Sequence, residues 1–145
     1  METFITKPDT HTFQKPLETK TYGWHLILDC YGANPQKLHD IERIFRFLDT
    51  LPAKIDMQKI GPPQIACFDD AGIKGITGIV MIVTSHISMH TYSNRSCFFM
   101  DVFSCKEFDA HFLIKYVEEF FEVTKMETQE ITRGHHFPTQ GVTSF

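Results

Sequence analysis

The sequence predicts an α/β (α+β) two-layer sandwich: a mainly antiparallel sheet with two helices on one face, in the order β-α-β-β-β-α-β. Short runs rich in β-branched and aromatic residues recur along the chain, bounded by Gly, Pro, Asn and Asp. Only two stretches carry apolar residues at helical spacing, and a block of consecutive strands separates them. That distribution fits helices gathered on one face of an antiparallel sheet better than helices alternating one for one with parallel strands. Strand-helix-strand also occurs twice, which suggests an internal duplication.

Residues 1–20 are polar, hold two Lys-Pro pairs and show no periodicity, and so predict a flexible N-terminal arm. Residues 21–145 predict a single domain. Gly23-Trp24-His25-Leu26-Ile27-Leu28-Asp29-Cys30 is the first strand, ended by Tyr31-Gly32. Asn34 is placed to cap a helix with Pro35 at its first position. Leu38, Ile41, Ile44, Phe45 and Leu48 continue that helix at regular spacing up to Pro52. Gly61-Pro62-Pro63 is a turn, Gln64 to Phe68 a short strand, and Asp69-Asp70-Ala71-Gly72 a loop. Gly78 to His90 predicts one long strand, Tyr92 to Ser96 a turn, and Cys97 to Cys105 the returning strand. Phe108, Phe112, Tyr116, Val117, Phe120 and Phe121 mark the second helix, and Met126 to Thr132 closes the sheet. The tail from Gly134 is expected to be irregular.

Composition narrows the function classes. Fourteen basic against eighteen acidic residues give a net charge of −4, with no Lys/Arg cluster, which argues against a nucleic-acid partner held by bulk charge. No apolar run reaches about 18 residues, so no membrane span is expected. The start, Met1-Glu2-Thr3-Phe4, lacks the features of a signal peptide, and a cytoplasmic location follows. Cys30, Cys67, Cys97 and Cys105 have no C-x-x-C spacing, which makes a zinc ribbon unattractive and reduced thiols the expectation. Cys30 and Cys67 read as buried packing residues. Most of the fourteen phenylalanines belong in the core.

The richest chemistry lies in Thr84-Ser85-His86-Ile87-Ser88-Met89-His90-Thr91, which follows the apolar run Ile79-Val80-Met81-Ile82-Val83, and in Asp101-Val102-Phe103-Ser104-Cys105. A serine, two histidines and a cysteine offer a nucleophile, bases and a weak acid within one hairpin. Taken by residue type alone, the same stretch is also an ordinary half-buried strand. His86 and His90 share a strand face about 13 Å apart at roughly 3.3 Å per residue, too far to hold one metal ion. His135-His136 could ligate metal, but adjacent tail histidines are more often simply exposed.

These motifs, in this order, resemble the bacterial-type S-adenosylmethionine decarboxylases. That family carries a Gly-Val-Ser-Gly segment, then Glu-Ser-His-Ile-Ser-Ile-His-Thr-Trp-Pro-Glu, then Asp-Val-Phe-Thr-Cys. Here stand Gly75-Ile76-Thr77-Gly78, then Thr84 to Asn94, then Asp101 to Cys105, at the same intervals. The likeness runs from Gly23-Trp24-His25 and the Asn34-Pro35 helix start to Arg133-Gly134, about residues 20–134.

The resemblance implies a self-processing enzyme. Ser85 matches the serine that attacks the preceding carbonyl, here that of Thr84, to turn an amide into an ester. β-Elimination then cuts the chain and leaves a pyruvoyl group on the second piece. That group forms a Schiff base with a substrate amine and takes the place of pyridoxal phosphate; no metal is implied. His90 matches the processing histidine, Thr77 a serine that assists processing, and Cys105 the catalytic proton donor. The implied substrate is S-adenosylmethionine, the product an aminopropyl donor for spermidine, and the assembly a homodimer with its site near the subunit interface.

Three departures bear on these assignments. Thr84 replaces a glutamate before the cut. Asn94 replaces the glutamate that contacts the ribose hydroxyls, and can still hydrogen-bond without charge. Ala71 falls where the family has an adenine-stacking phenylalanine, a role Phe68 could take. Two alternatives follow: a pyruvoyl-dependent decarboxylase of a free basic amino acid such as ornithine or arginine, and an unprocessed, non-catalytic regulatory homologue.

Overall fold

The computed structural model describes residues 19–141. Its centre is a six-stranded sheet in the order β3-β4-β5-β6-β2-β7, built from β2 (Gly23–Tyr31), β3 (Gln64–Asp70), β4 (Ile73–Ile82), β5 (Ser85–Tyr92), β6 (Cys97–Ser104) and β7 (Lys125–Arg133). Every neighbouring pair is antiparallel. Helices α1 (Pro35–His39), α2 (Ile41–Lys54) and α3 (Ala110–Phe121) supply the second layer. The expected α+β sandwich is therefore borne out, with the elements corrected in three places.

The first correction matters most for function. The long strand expected over Gly78 to His90 is two strands, β4 and β5, joined by a hairpin in which Ile82 pairs with Ser85 across Val83-Thr84. The apolar run Ile79 to Val83 conceals the turn because Val83-Thr84 contains none of the residues that usually punctuate a chain. Thr84 makes the turn with φ +57°, a left-handed conformation that costs a β-branched residue about 1–2 kcal/mol.

The second correction splits the first helix. The Asn34 side chain caps α1 as expected, accepting from the N–H groups of Gln36 and Lys37. Asp40 then leaves helical geometry (φ −86°, ψ 100°) and caps α2 by accepting from the Arg43 N–H. The apolar spacing continues across the break because both segments face the same core, so periodicity alone reads one helix. Third, β3 runs on to Asp70, and the Asp69–Gly72 loop shrinks to Ala71-Gly72, both at positive φ (49° and 79°) as a two-residue hairpin of mirror-image turn type requires.

The core lies between the layers. Strand residues alternate, so Leu26, Leu28, Val80, Ile87, Met89, Phe98, Met100 and Val102 face the helices and are buried. From the helices come Leu38, Ile44, Phe47, Leu48, Leu51, Leu113, Val117 and Phe121. Phe47 packs among Tyr116, Phe120 and Phe121 with ring centroids 4.8–5.9 Å apart. The strand glycines of Gly75-Ile76-Thr77-Gly78 allow close approach: a Cβ at Gly75 would lie 1.8 Å from the Thr91 carbonyl oxygen, and one at Gly78 2.5 Å from a Leu48 methyl.

Among the described residues, no helix covers the other face of the sheet. It carries His25, Ile27, Asp29 and Tyr31 from β2, Phe99, Asp101 and Phe103 from β6, His86, Ser88, His90 and Tyr92 from β5, and Thr77, Ile79 and Met81 from β4, aligned by strand register. Ile79, Met81 and Ile131 are 38–50% exposed there.

Most of the N-terminal arm, residues 1–18, lies outside the described residues. Its last two residues form β1 (Thr19–Lys20), which pairs with β8 (Phe137–Pro138). The tail expected to be irregular thus contributes a short second ladder, with His135 and His136 exposed in the turn that precedes it. No helix among the described residues is long and apolar enough to cross a membrane.

Candidate active site

Ser85 opens β5 immediately after the strained turn. Its Oγ accepts a hydrogen bond from the Cys105 backbone N–H at 2.9 Å, because Cys105 follows the last residue of the neighbouring strand β6. The Cys105 Sγ lies 2.7 Å from the Thr84 hydroxyl and 3.7 Å from the Val83 carbonyl oxygen. That hydroxyl is also 2.8 Å from the Val83 carbonyl, so its single proton serves the sulfur or the carbonyl at any one time. The Thr84 carbonyl, the one Ser85 would attack, accepts from the Tyr22 phenol at 3.3 Å. One end of the hairpin thus gathers a hydroxyl, the carbonyl that precedes it in the chain and a thiol.

Thr77 and His90 form a second group. They are register partners on β4 and β5, with Thr77 Oγ1 3.1 Å from His90 Nδ1. If the Nδ1–H donates to the threonine oxygen, Nε2 is left as a free base; if the threonine donates, Nε2 carries the proton. Thr77 therefore controls which nitrogen is basic. This pair sits at the opposite end of β5 from Ser85. His90 lies five positions along the strand from Ser85, about 16 Å at roughly 3.3 Å per residue. Their parity also differs: His90 lies on the open face, whereas Ser85 is in phase with the core-facing Ile87 and Met89. The sequence places the two residues close together, but the extended backbone carries them apart within one copy.

Phe68 and Asn94 lie at the Thr77–His90 end. Phe68 meets Tyr92 edge-on at 5.7 Å, and Tyr92 meets Phe99 at 5.8 Å, making an aromatic row on the open face. Asn94, in the short 3-10 turn Ser93–Arg95, has its amide engaged: it donates to the Gly72 carbonyl and accepts from the Lys74 N–H at 3.3 Å. It braces the β3–β4 turn.

The remaining titratable groups sort by burial. Burial, with the charge of Asp29, pushes the Cys30 thiol up to about 12, which leaves it an inert packing residue as expected. Cys67 is exposed, which corrects its reading as a buried residue: it lies on edge strand β3. Sequence reasoning missed the pair His25 Nε2–Asp101 Oδ1 at 2.9 Å. Beside it, burial pushes His86 below its usual value, and His25 and Arg133 add to that against the opposing pull of Asp101. Among the described residues no three His, Cys, Asp or Glu side chains are grouped to hold a metal ion. A cleft of about 450 Å³ lies between α2 and α3, lined by Arg43, Arg46, Thr50, Lys54 and Tyr116; none of Ser85, Thr77, His90 and Cys105 borders it.

Comparison with known proteins decides the family. The family model described as S-adenosylmethionine decarboxylase matches residues 24–134. The chain belongs to the S-adenosylmethionine decarboxylase family. Among its relatives, the S-adenosylmethionine decarboxylase proenzyme of Clostridium botulinum (strain Langeland) is 30% identical over 116 residues, covering 79% of this chain and 97% of the relative. The proenzyme of Methanococcus maripaludis (strain C7) is 31% identical over 118 residues, 79% of this chain and 92% of that one. The crystal structure of the adenosylmethionine decarboxylase from Aquifex aeolicus matches with a TM-score of 0.61 at 22% identity, over 87% of this chain and 99% of that chain, and so shares the family fold. The match begins at Trp24, two residues after the tyrosine that reaches the Thr84 carbonyl.

Proposed function

We propose that this chain is a self-processing, pyruvoyl-dependent decarboxylase of S-adenosylmethionine, whose product is the aminopropyl donor for spermidine, and that it works in the cytoplasm, where its four free cysteines stay reduced. The observation that carries this reading is the grouping of Ser85, the Thr84 carbonyl and Cys105 at a strained hairpin turn. Strain before the scissile bond favours conversion of the amide, since it is relieved when the chain opens. The pyruvoyl group made from Ser85 supplies the electron sink for loss of CO₂. The Cys105 thiol, held beside position 85, is the group that returns a proton to the substrate.

The two alternatives have less support. A basic amino acid was suggested by the uncharged Asn94, but that amide is occupied in bracing a turn, so its lack of charge says little about the substrate. The intact grouping at Ser85 argues against a purely regulatory homologue. Fully processed protein should release CO₂ from carboxyl-labelled S-adenosylmethionine and not from labelled ornithine or arginine; the reverse pattern would overturn the assignment.

The site also calls for a second copy. The Thr77–His90 pair is too distant to serve Ser85 of its own chain, and the open sheet face leaves Ile79, Met81 and Ile131 exposed. A two-fold partner packed on that face brings one copy's His90 end towards the other's Ser85 end. His90 then takes the α-proton during β-elimination across the interface. Co-expression of Ser85→Ala and His90→Ala chains tests this. The His90→Ala chain, stalled as an ester alone, should be cut in the mixture because its partner supplies the imidazole. No rescue in mixed dimers would place the base within one chain.

A further inference from the structure

We infer that Tyr22 is a catalytic residue of chain cleavage, its phenol polarising the Thr84 carbonyl for attack by Ser85; this rests on the self-processing reading above. The Tyr22 hydroxyl is 3.3 Å from the Thr84 oxygen, across 62 residues of sequence. The contact is built rather than incidental. The Tyr22 N–H donates to the Arg133 carbonyl at 3.0 Å, extending the β2–β7 ladder by one step. The ring packs against Phe137 at 4.8 Å and Phe103 at 6.1 Å. Gly134, at φ +69°, passes beneath it, and a Cβ there would stand 2.5 Å from the Tyr22 Cβ. Phe137 is itself held by the β1–β8 ladder. The segments on either side of the β1–β8 ladder therefore meet to fix one phenol on one carbonyl.

The chemistry gives that phenol a task. When Ser85 Oγ attacks, a C–O bond forms at the Thr84 carbonyl carbon, the carbonyl π pair moves onto oxygen, and a base takes the hydroxyl proton. The C–N bond then breaks and the Ser85 nitrogen takes up a proton, so amide and ester are isomers and no co-reactant is consumed. Charge develops on the atom that Tyr22 touches. A donor aimed at that oxygen is worth more in the transition state than in the resting amide, and Tyr22 keeps its proton throughout. Thr84 and Ser85 supply the bond that changes; the terminal ladder supplies the donor.

Cleavage of Tyr22→Phe, followed on freshly purified proenzyme, is the test. The ring and its packing remain, so the melting transition should match that of the wild type. Cleavage should slow about ten- to hundredfold, below the 10²–10³ typical of an enclosed donor because this one is half-buried. Hydroxylamine, which cuts esters, should release no extra fragment, because the slow step precedes the ester. Phe137→Ala, which loosens the ring but keeps the hydroxyl, should slow cleavage less. Wild-type kinetics in Tyr22→Phe would overturn the inference and leave self-processing standing. So would a slow variant that accumulates hydroxylamine-sensitive chain, or Phe137→Ala slowing as much as Tyr22→Phe. A wild-type chain that never splits would remove both readings.

Discussion

Ser85→Ala protein is expected to remain a single species of 16.8 kDa, while the wild type resolves into residues 1–84 and a blocked 85–145. The effect should be complete. Alanine removes the one atom that can attack the Thr84 carbonyl, and water has no positioned substitute. The fold should survive, because what the substitution deletes is one hydroxyl at the mouth of a strand and its bond from the Cys105 N–H, worth about 0.5–1.5 kcal/mol net. Intact mass spectrometry on both proteins after equal incubation reads the outcome. Splitting of the alanine protein at the same bond, or a wild type that stays whole, would refute self-cleavage at Thr84–Ser85.

Cys105→Ala should separate the two reactions. The bond that holds Ser85 Oγ comes from the Cys105 backbone, which alanine keeps, so the nucleophile stays in place and the chain is still cut. Turnover of the cut protein should fall by about 10²–10⁴, the usual worth of a positioned proton donor. Single-turnover CO₂ release should fall less than complete turnover if the thiol acts after CO₂ leaves. Equal steady-state rates for the two cut proteins would show that the thiol carries no proton.

Much of this was legible in the sequence, and the failures have physical causes. Strand alternation and helix spacing revealed the layers, because burial of one face writes its period into the chain. The hairpin at Val83-Thr84 left no such mark. Its turn is paid for by strain in a threonine rather than signalled by glycine or asparagine. The resemblance to family motifs pointed to Ser85, His90 and Cys105 as candidates, but distance along a chain is not distance in space. Five positions along an extended strand carry two side chains about 16 Å apart at roughly 3.3 Å per residue and onto opposite faces, which is why His90 pairs with Thr77 and not with Ser85. Ser85 and Cys105, twenty residues apart, are instead neighbours through the β5–β6 ladder. Tyr22 was invisible because the task proposed for it depends on two short flanking segments, Thr19–Tyr22 and Gly134–Pro138, that carry no periodic pattern.

The strand order has a consequence for the life of the molecule. A cut after Thr84 leaves β2, β3 and β4 on one piece and β5, β6 and β7 on the other. In the sheet these alternate, so the seams β4–β5, β6–β2 and β2–β7 all join different pieces. The pieces are laced together and should not drift apart while folded. Once melted, however, they must find each other again by diffusion, and the hairpin that tethered β4 to β5 no longer exists to help. Before the cut, refolding is a property of one chain; afterwards it depends on concentration. Activation would thus make the molecule's shape irreplaceable: an aged enzyme lost to heat has no quick route home, and its supply rests on fresh synthesis.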